Sequence, residues 1–199
     1  MGEQDQQLVK RARILEAAFS TFSKYGFRRT SMADIAEEAG MSRAALYLHF
    51  KNKEDIVRQL TVTFFQAAAD RIARELIPGG DPMQVIPAVF AAKSGPMAEA
   101  MLTSPHAQEF MDTGSRLALE EKEQGTAELR RLLAGWLSAE EAAARIDLSG
   151  FGADAESLAA TMLNALEGQF YSGPSLKDYE VAAHQLGLMF GTALRTSSS

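Results

Sequence analysis

Residues 30–53, TSMADIAEEAGMSRAALYLHFKNK, decide the fold. Ser31 followed three residues later by Asp34 is a capping-box spacing, which satisfies orphan N–H groups at the start of a helix. Met32, Ile35, Ala36 and Ala39 then fall on one face of that short helix. Gly40 can supply the left-handed residue that ends it. Ser42 caps a second short helix whose inward positions are Ala45, Leu46 and Phe50, and Asn52, with Asp55 three residues on, caps the next. Two short helices separated by the tight turn Ala39-Gly40-Met41-Ser42 have helix-turn-helix spacing, although an ordinary helical hairpin inside a bundle has it too.

Working outward, Leu8, Ile14/Leu15, Ala18/Phe19, Phe22 and Tyr25 recur at three- and four-residue spacing, giving an amphipathic first helix that stops near Gly26. The helix after Asn52 carries Ile56, Leu60, Phe64 and Ala67/Ala68, and runs to the break at Pro78-Gly79-Gly80. Further helices are expected at roughly 82–93, 96–103, 106–138, 153–171 and 175–195. Their separators are Ser94-Gly95-Pro96, Ser104-Pro105, residues 147–152 and Ser172-Gly173-Pro174, and Gly114 and Gly125 are expected to bend the long one. No segment alternates like a strand. The expected class is all-α, with a small N-terminal helical domain over residues 1–52 and a larger helical domain over 53–199. The boundary falls inside the fourth helix without a flexible linker, so movement at one end can reach the other.

The chain has 199 residues, 46% hydrophobic and 23% charged, as ordinary globular proteins do. It has no run of eighteen apolar residues, and the polar start MGEQDQQLVKRAR has no signal-peptide core. Cysteine is absent, which excludes disulfides, thiolate metal sites and cysteine nucleophiles. A cytoplasmic protein is expected. Net charge is −6, but its distribution is uneven. Residues 1–60 hold ten Lys and Arg against eight Asp and Glu, whereas residues 61–199 hold ten against eighteen. An acidic body with a mildly basic head suits specific DNA binding better than indiscriminate binding, which depends on phosphate neutralisation.

The segment ILEAAFSTFSKYGFRRTSMADIAEEAGMSRAALYLHFKNKEDIV, residues 14–57, closely resembles the DNA-binding domain of the tetracycline-repressor (TetR) family. The matching features are Ala17/Ala18 with Phe22, the exit Tyr25-Gly26-Phe27, and Thr30-Ser31 with Ile35-Ala36. They continue through Ala39-Gly40-Met41-Ser42 and Leu46-Tyr47 with Phe50 to Lys53-Glu54. Beyond residue 60 the resemblance is to a length and a helical plan. It implies an N-terminal three-helix DNA-binding domain, a ligand-binding and dimerisation domain, and a transcriptional regulator. The expected mode is a repressor released from a palindromic operator by a small apolar or aromatic effector. The alternative is a regulator acting as an activator or without a small-molecule ligand.

The resemblance also assigns roles. Arg43 would stand at the N-terminal end of the major-groove helix, where a guanidinium can grip guanine bidentately, worth ~1–3 kcal/mol of discrimination. Ala44 and Ala45 would let the helix approach closely and meet thymine methyls. Members of the family often carry glycine and then threonine or serine there, so two alanines leave fewer polar base contacts. Tyr47 and His49 resemble phosphate-contacting positions, although Tyr47 also suits a core beside Leu46 and His49 a plain helix end. Thr30 and Ser31 lie at one helix N-terminus and Lys53 at another, where N–H groups and the dipole attract phosphate. Ser42 caps the reading helix. Arg28, Arg29 and Lys51 would add charge around the groove, setting register more than sequence.

In the family the last two helices pair with a partner's, and helices 153–171 and 175–195 are apolar on more than one side, as a homodimer interface requires. Gly187 and Gly191, four apart, would allow close helix approach. An effector cavity could be lined by Phe64, Phe90, Met97, Met101, Phe110 and Trp136, although each alone reads as readily as core. His106, Arg116 and Asn164 are its candidate polar anchors. No enzyme is expected: the sequence lacks H-E-x-x-H, G-x-S-x-G and a phosphate-binding G-x-x-x-x-G-K-[ST]. Gly150-Phe151-Gly152 mimics a dinucleotide fingerprint, but it has no preceding strand and reads as a loop with Asp154 capping the next helix. His106/Glu109 and Glu180/His184 have helical metal spacing without a third ligand, so neither a metal nor a cofactor is expected.

Overall fold

A computed structural model describes residues 2–171 and 175–195; the expected Ser172-Gly173-Pro174 separator and the tail from Thr196 lie outside the described residues. Among the described residues nine α-helices follow one another: α1 (Glu3–Tyr25), α2 (Met32–Glu38), α3 (Arg43–Tyr47), α4 (Lys53–Glu75), α5 (Pro82–Thr103), α6 (Ala107–Leu117), α7 (Leu119–Ala142), α8 (Ala155–Tyr171) and α9 (Leu176–Ala193). A single 3-10 turn, Ser149–Phe151, precedes α8. Among the described residues no strand forms, only an isolated bridge between Ile146 and Arg195. No described helix is long and apolar enough to cross a membrane.

The chain divides into two compact units, residues 1–64 with 103–123, and residues 65–102 with 124–199. In the first, α1, α2, α3 and the start of α4 close over Ile14, Phe22, Ile35, Leu46, Phe50 and Ile56, all essentially inaccessible to solvent. α6 belongs to this unit and packs against α1. In the second, α8 and α9 pack together, and the core runs through Ile72, Ile86, Phe90, Leu133, Leu137, Met162 and Leu166.

Two expected bends are corrected. The stretch expected as one helix over 106–138 is two, broken at Ala118 (φ −127°, ψ 39°) rather than at Gly114 or Gly125. The Ala118 side chain is buried, and its N–H still reaches the Gly114 carbonyl at 2.9 Å. Gly125 stays helical because it serves packing: a Cβ there would lie 2.5 Å from that of Phe65. The Ser94-Gly95-Pro96 break is present as a kink at Gly95 (φ 57°) inside α5. Asp154 caps α8 as expected, accepting from the Ser157 N–H at 2.7 Å.

Gly187 and Gly191 do allow close approach, within the chain. A Cβ at Gly187 would meet Pro87 Cα at 2.6 Å, and one at Gly191 the Pro82 carbonyl oxygen at 2.6 Å. Elsewhere in this unit Glu140, 1% exposed, receives Nε and Nη2 of Arg145 and, at 3.0 Å, the Gly79 N–H. The end of α7 is thereby tied to the loop after α4. The Arg145 hydrogen bonds hold the Glu140 carboxyl below its ordinary range, helped by the Gly79 N–H and opposed by burial.

Two predictions follow from this packing. Gly187→Ala should destabilise by ~1–3 kcal/mol, since backbone atoms of Pro87 cannot give way as a side chain would. Exposed Gly135, with nothing within 4 Å, should instead gain up to ~1 kcal/mol of helix propensity as alanine. Thermal melts of the two variants against the parent should therefore move in opposite directions. The depressed Glu140 pKa contributes stability that is full above the unfolded value of about 4.3 and lost as pH falls through the lower folded value. Melting temperatures taken from pH 7 to 3 should show the gap between the parent and Glu140→Gln closing across that window.

Candidate nucleic-acid interface

α3 is positioned from beneath by Leu46 and, just beyond its end, Phe50, both buried. Ser42 accepts the Ala45 N–H at 3.1 Å, the expected cap. At α2, Ser31 Oγ accepts the Asp34 N–H at 3.2 Å while the Asp34 carboxylate accepts the Ser31 N–H at 2.7 Å, completing the capping box. The Ser31 hydrogen bonds hold Asp34 below its ordinary pKa.

The outward side carries Arg43, Ala44 and Tyr47, all exposed, with Ala45 half-buried between them and the core. The Arg43 guanidinium lies 5.5 Å from the centre of the Tyr47 ring, one helical turn on, and 3.4 Å from its hydroxyl. Arg28, Arg29 and Lys51 are also exposed, and with Arg43 they make no ion pair with a carboxylate among the described residues. Four cations free of internal acids on one small unit favour a polyanion.

Other candidates are engaged inside the unit. Lys53 Nζ donates to the carbonyls of Phe27 (2.7 Å) and Thr30 (2.5 Å) and sits 4.4 Å above the Phe27 ring. Two of its three protons thus join the start of α4 to the α1–α2 turn. Thr30 is 2% exposed, and its hydroxyl donates inward to the Gly26 carbonyl at 2.8 Å. His49 is half-buried; burial first, then Arg11 and Lys10, push its imidazole below the ordinary histidine pKa, so it is neutral at pH 7.

Three contributors carried no readable signal in the sequence. Arg11 donates to the His49 carbonyl (3.1 Å) and to Gln59 Oε1 (3.2 Å), with its guanidinium 4.5 Å from the Phe50 ring centre. In the sequence it is one more member of a basic cluster. Leu48 is 85% exposed at the exit of α3, outside the apolar register. Residues 104–109 clasp the α1–α2 turn: Ser104 Oγ donates to the Ser23 carbonyl at 2.8 Å, and Glu109 Oε1 accepts the Arg28 N–H at 2.9 Å. Gly26 (φ 83°) lies under that carboxylate, where any Cβ would collide with it. Beside the clasp, Thr21, Lys24, Tyr25, Asp34 and Glu38 border an open cleft of about 620 Å³ whose walls carry both charges.

The effector candidates are divided between the two units. Phe64, His106 and Arg116 belong to the first unit, Phe90, Trp136 and Asn164 to the second. Arg116 and Asn164 are exposed, whereas Phe90 and Trp136 are buried, the indole N–H donating to the Ile77 carbonyl at 3.0 Å. The side chains of Met97, Met101 and Phe110 lie outside what the structure describes.

Residues 14–60 match the family described as bacterial regulatory proteins, tetR family. The HTH-type transcriptional regulator ArpR of Pseudomonas putida is 42% identical over 86 residues, 40% of each chain. TtgR, another HTH-type transcriptional regulator of that species, is 47% identical over 64 residues, 32% of this chain and 30% of its own. The matched stretches thus span two fifths or less of these relatives' lengths. Among solved structures, SmeT, the repressor of the Stenotrophomonas maltophilia multidrug efflux pump SmeDEF, superposes with a TM-score of 0.69 at 21% identity, over 94% of this chain and 91% of its own. A SmeT–triclosan complex gives 0.68 at 20%, over 96% and 93%. At that identity the likeness is one of fold. The head, residues 14–60, thus matches the tetR family of bacterial regulatory proteins, and along the rest of the chain the likeness is one of helical plan.

Proposed function

We propose that this protein is a DNA-binding transcriptional repressor that holds a palindromic operator as a homodimer and is released by a small apolar or aromatic effector. Residues 1–52 serve as the DNA-binding domain, and residues 53–199 bind the effector and dimerise. The observation that carries the reading is α3: a short capped helix with its apolar side sunk in a core and Arg43, Ala44 and Tyr47 exposed. In the major groove, Arg43 reads a guanine, Ala44 and Ala45 supply fit, and Tyr47 reaches phosphate. Arg28, Ser31, His49 and Lys51 fix register along the backbone. Thr30, Ser42 and Lys53 contribute mainly by holding the helices that carry these groups.

Dimerisation is supported by α9, whose Gly187/Gly191 side packs on α5 while Val181 and Met189 are 48% and 68% exposed. Two copies related by a two-fold axis would set their reading helices roughly 34–36 Å apart, one turn of the duplex. The effector reading draws on the SmeT–triclosan complex, in which a relative of this fold holds an apolar aromatic molecule. Such a ligand acts by favouring a state of the dimer that no longer fits DNA. The matched relatives are regulators, and the chemistry proposed here is binding without catalysis.

Operator selection with purified protein should return a palindrome. Against it, Arg43→Ala should lose discrimination at one base pair per half-site by ~1–3 kcal/mol without lowering the melting temperature. Lys51→Ala should weaken all sequences alike and reduce the salt slope by about one. Gel shifts across a salt series read both, and unchanged affinity for Arg43→Ala would remove α3 from the groove.

A further inference from the structure

The second unit is acidic, with eight Lys and Arg against thirteen Asp and Glu. Its arginines are accordingly paired: Arg130 with Glu156, Arg131 with Glu128, Arg145 with Glu140 and Arg195 with Asp81, at 2.5–3.0 Å. All four of these side chains are at least 39% exposed. Arg71, on α4, is the reverse case: it is only partly exposed, yet meets no carboxylate among the described residues. Its neighbour Asp70 is exposed and acts on it only through space, without an ion pair. Arg74, three residues on, shares its side of α4 and adds a second positive charge.

What holds Arg71 is the break in α5. Pro96 has no N–H, so the Ala92 carbonyl, four residues earlier, loses its helical partner. Arg71 Nε donates to that carbonyl at 2.8 Å, and the guanidinium lies across the backbone of Gly95, where no side chain could stand. One edge of the guanidinium is thereby fixed. Its terminal nitrogens, Nη1 and Nη2, have no hydrogen-bond partner among the described residues, and two such N–H groups match the two oxygens of a carboxylate. Burial, and then Arg74, push the guanidinium pKa down, opposed in part by Asp70. The unit it belongs to has an apolar core that includes Ala68 and Phe90, with Ala92 packed against it.

We propose that Arg71 is an anion anchor in the effector-binding domain, and that the effector is an apolar molecule bearing one carboxylate or comparable oxyanion. This rests on the effector reading above and narrows its chemistry. The α5 kink positions the guanidinium, and Arg74 adds a second positive charge on the same side of α4.

The test uses the full-length protein with decanoate against decanol, decyl phosphate as a second oxyanion, and naphthalene-2-acetate against its methyl ester. Titration calorimetry and thermal shift give affinities, and operator release is followed on the same samples. The acids should bind at least tenfold more tightly than their neutral counterparts. Arg71→Gln should bring each pair within twofold, and Arg71→Lys should keep part of the preference; melts without probe show whether either variant has lost its fold. Decyl phosphate binding as well as decanoate makes the anchor one for oxyanions in general, and weaker binding narrows it to carboxylates. Equal affinity for acid and neutral probe, a preference that survives Arg71→Gln, or no binding of any acid would overturn the anchor. Neutral probes that release the operator would leave the repressor reading standing without it. A preference for acids in a protein that shifts no operator would sink the repressor reading and keep the anchor.

Discussion

Isolated helices shorter than ~12–15 residues are marginal in water, and α3 spans only Arg43–Tyr47. Everything the head offers to DNA depends on how that single turn and a half is held. Leu46 and Phe50 contribute ~1.5–3 kcal/mol each by burial, and Ser42 satisfies one of the free N–H groups. The chain leaving α3 is then fastened by Arg11, which takes the His49 carbonyl and lies on the Phe50 ring. Lys53 does the same for the turn entering α2, through the carbonyls of Phe27 and Thr30 and the Phe27 ring. Both cations stack on aromatic faces while donating to backbone oxygens, so their charge is used to lock geometry. On the proposed reading, a helix fixed in this way would meet DNA with little further ordering to undergo, and lost freedom on binding is a main opponent of affinity.

The second unit solves a different problem. α5 contains Pro87 and Pro96 and a left-handed Gly95, so it cannot satisfy all its own carbonyls. One deficit is met from another helix, α4 bringing Arg71 to the Ala92 carbonyl, while α9 packs bare glycine backbone against Pro82 and Pro87. Irregularity in one helix is thus stabilised by the absence of side chains on a second and by a long polar side chain on a third. A kinked helix held by neighbours, rather than by its own ladder, is also one whose conformation a ligand can bias.

Much of the head was legible because its signals are local. Ser31, Ser42 and Asp154 cap where their spacing says they should, and Gly26 ends α1. Gly95 breaks α5 as a Gly-Pro pair predicts. What escaped depends on partners far away in the chain. Gly125 is no bend, because Phe65, sixty residues earlier, fills the space its side chain would occupy. The true break, at Ala118, carries no glycine or proline and has no local signature. Glu109 reads as a possible metal ligand beside His106, and only the fold reveals that its carboxylate caps the Arg28 N–H eighty-one residues away. Thr30 and Lys53 look like phosphate ligands from their helix-end positions, yet their polar atoms turn to main-chain carbonyls. Position along a helix is written in the sequence; the direction in which a polar side chain is satisfied is decided by what packs against it.

The same distinction explains how a chain of net charge −6 can present a cationic surface. A basic side chain paired with a carboxylate is close to neutral at the distance of a phosphate, whereas the field of an unpaired one decays over a screening length of about 10 Å at 0.1 M salt. In the head, Lys24 and Arg58 lie against Glu38 and Glu121, while Arg28, Arg29, Arg43 and Lys51 have no acid of their own. In the second unit four arginines are paired, whereas the half-buried Arg71 meets no carboxylate among the described residues. Net charge counts all of these alike. Which cations are left without an internal partner is the quantity that matters for anions.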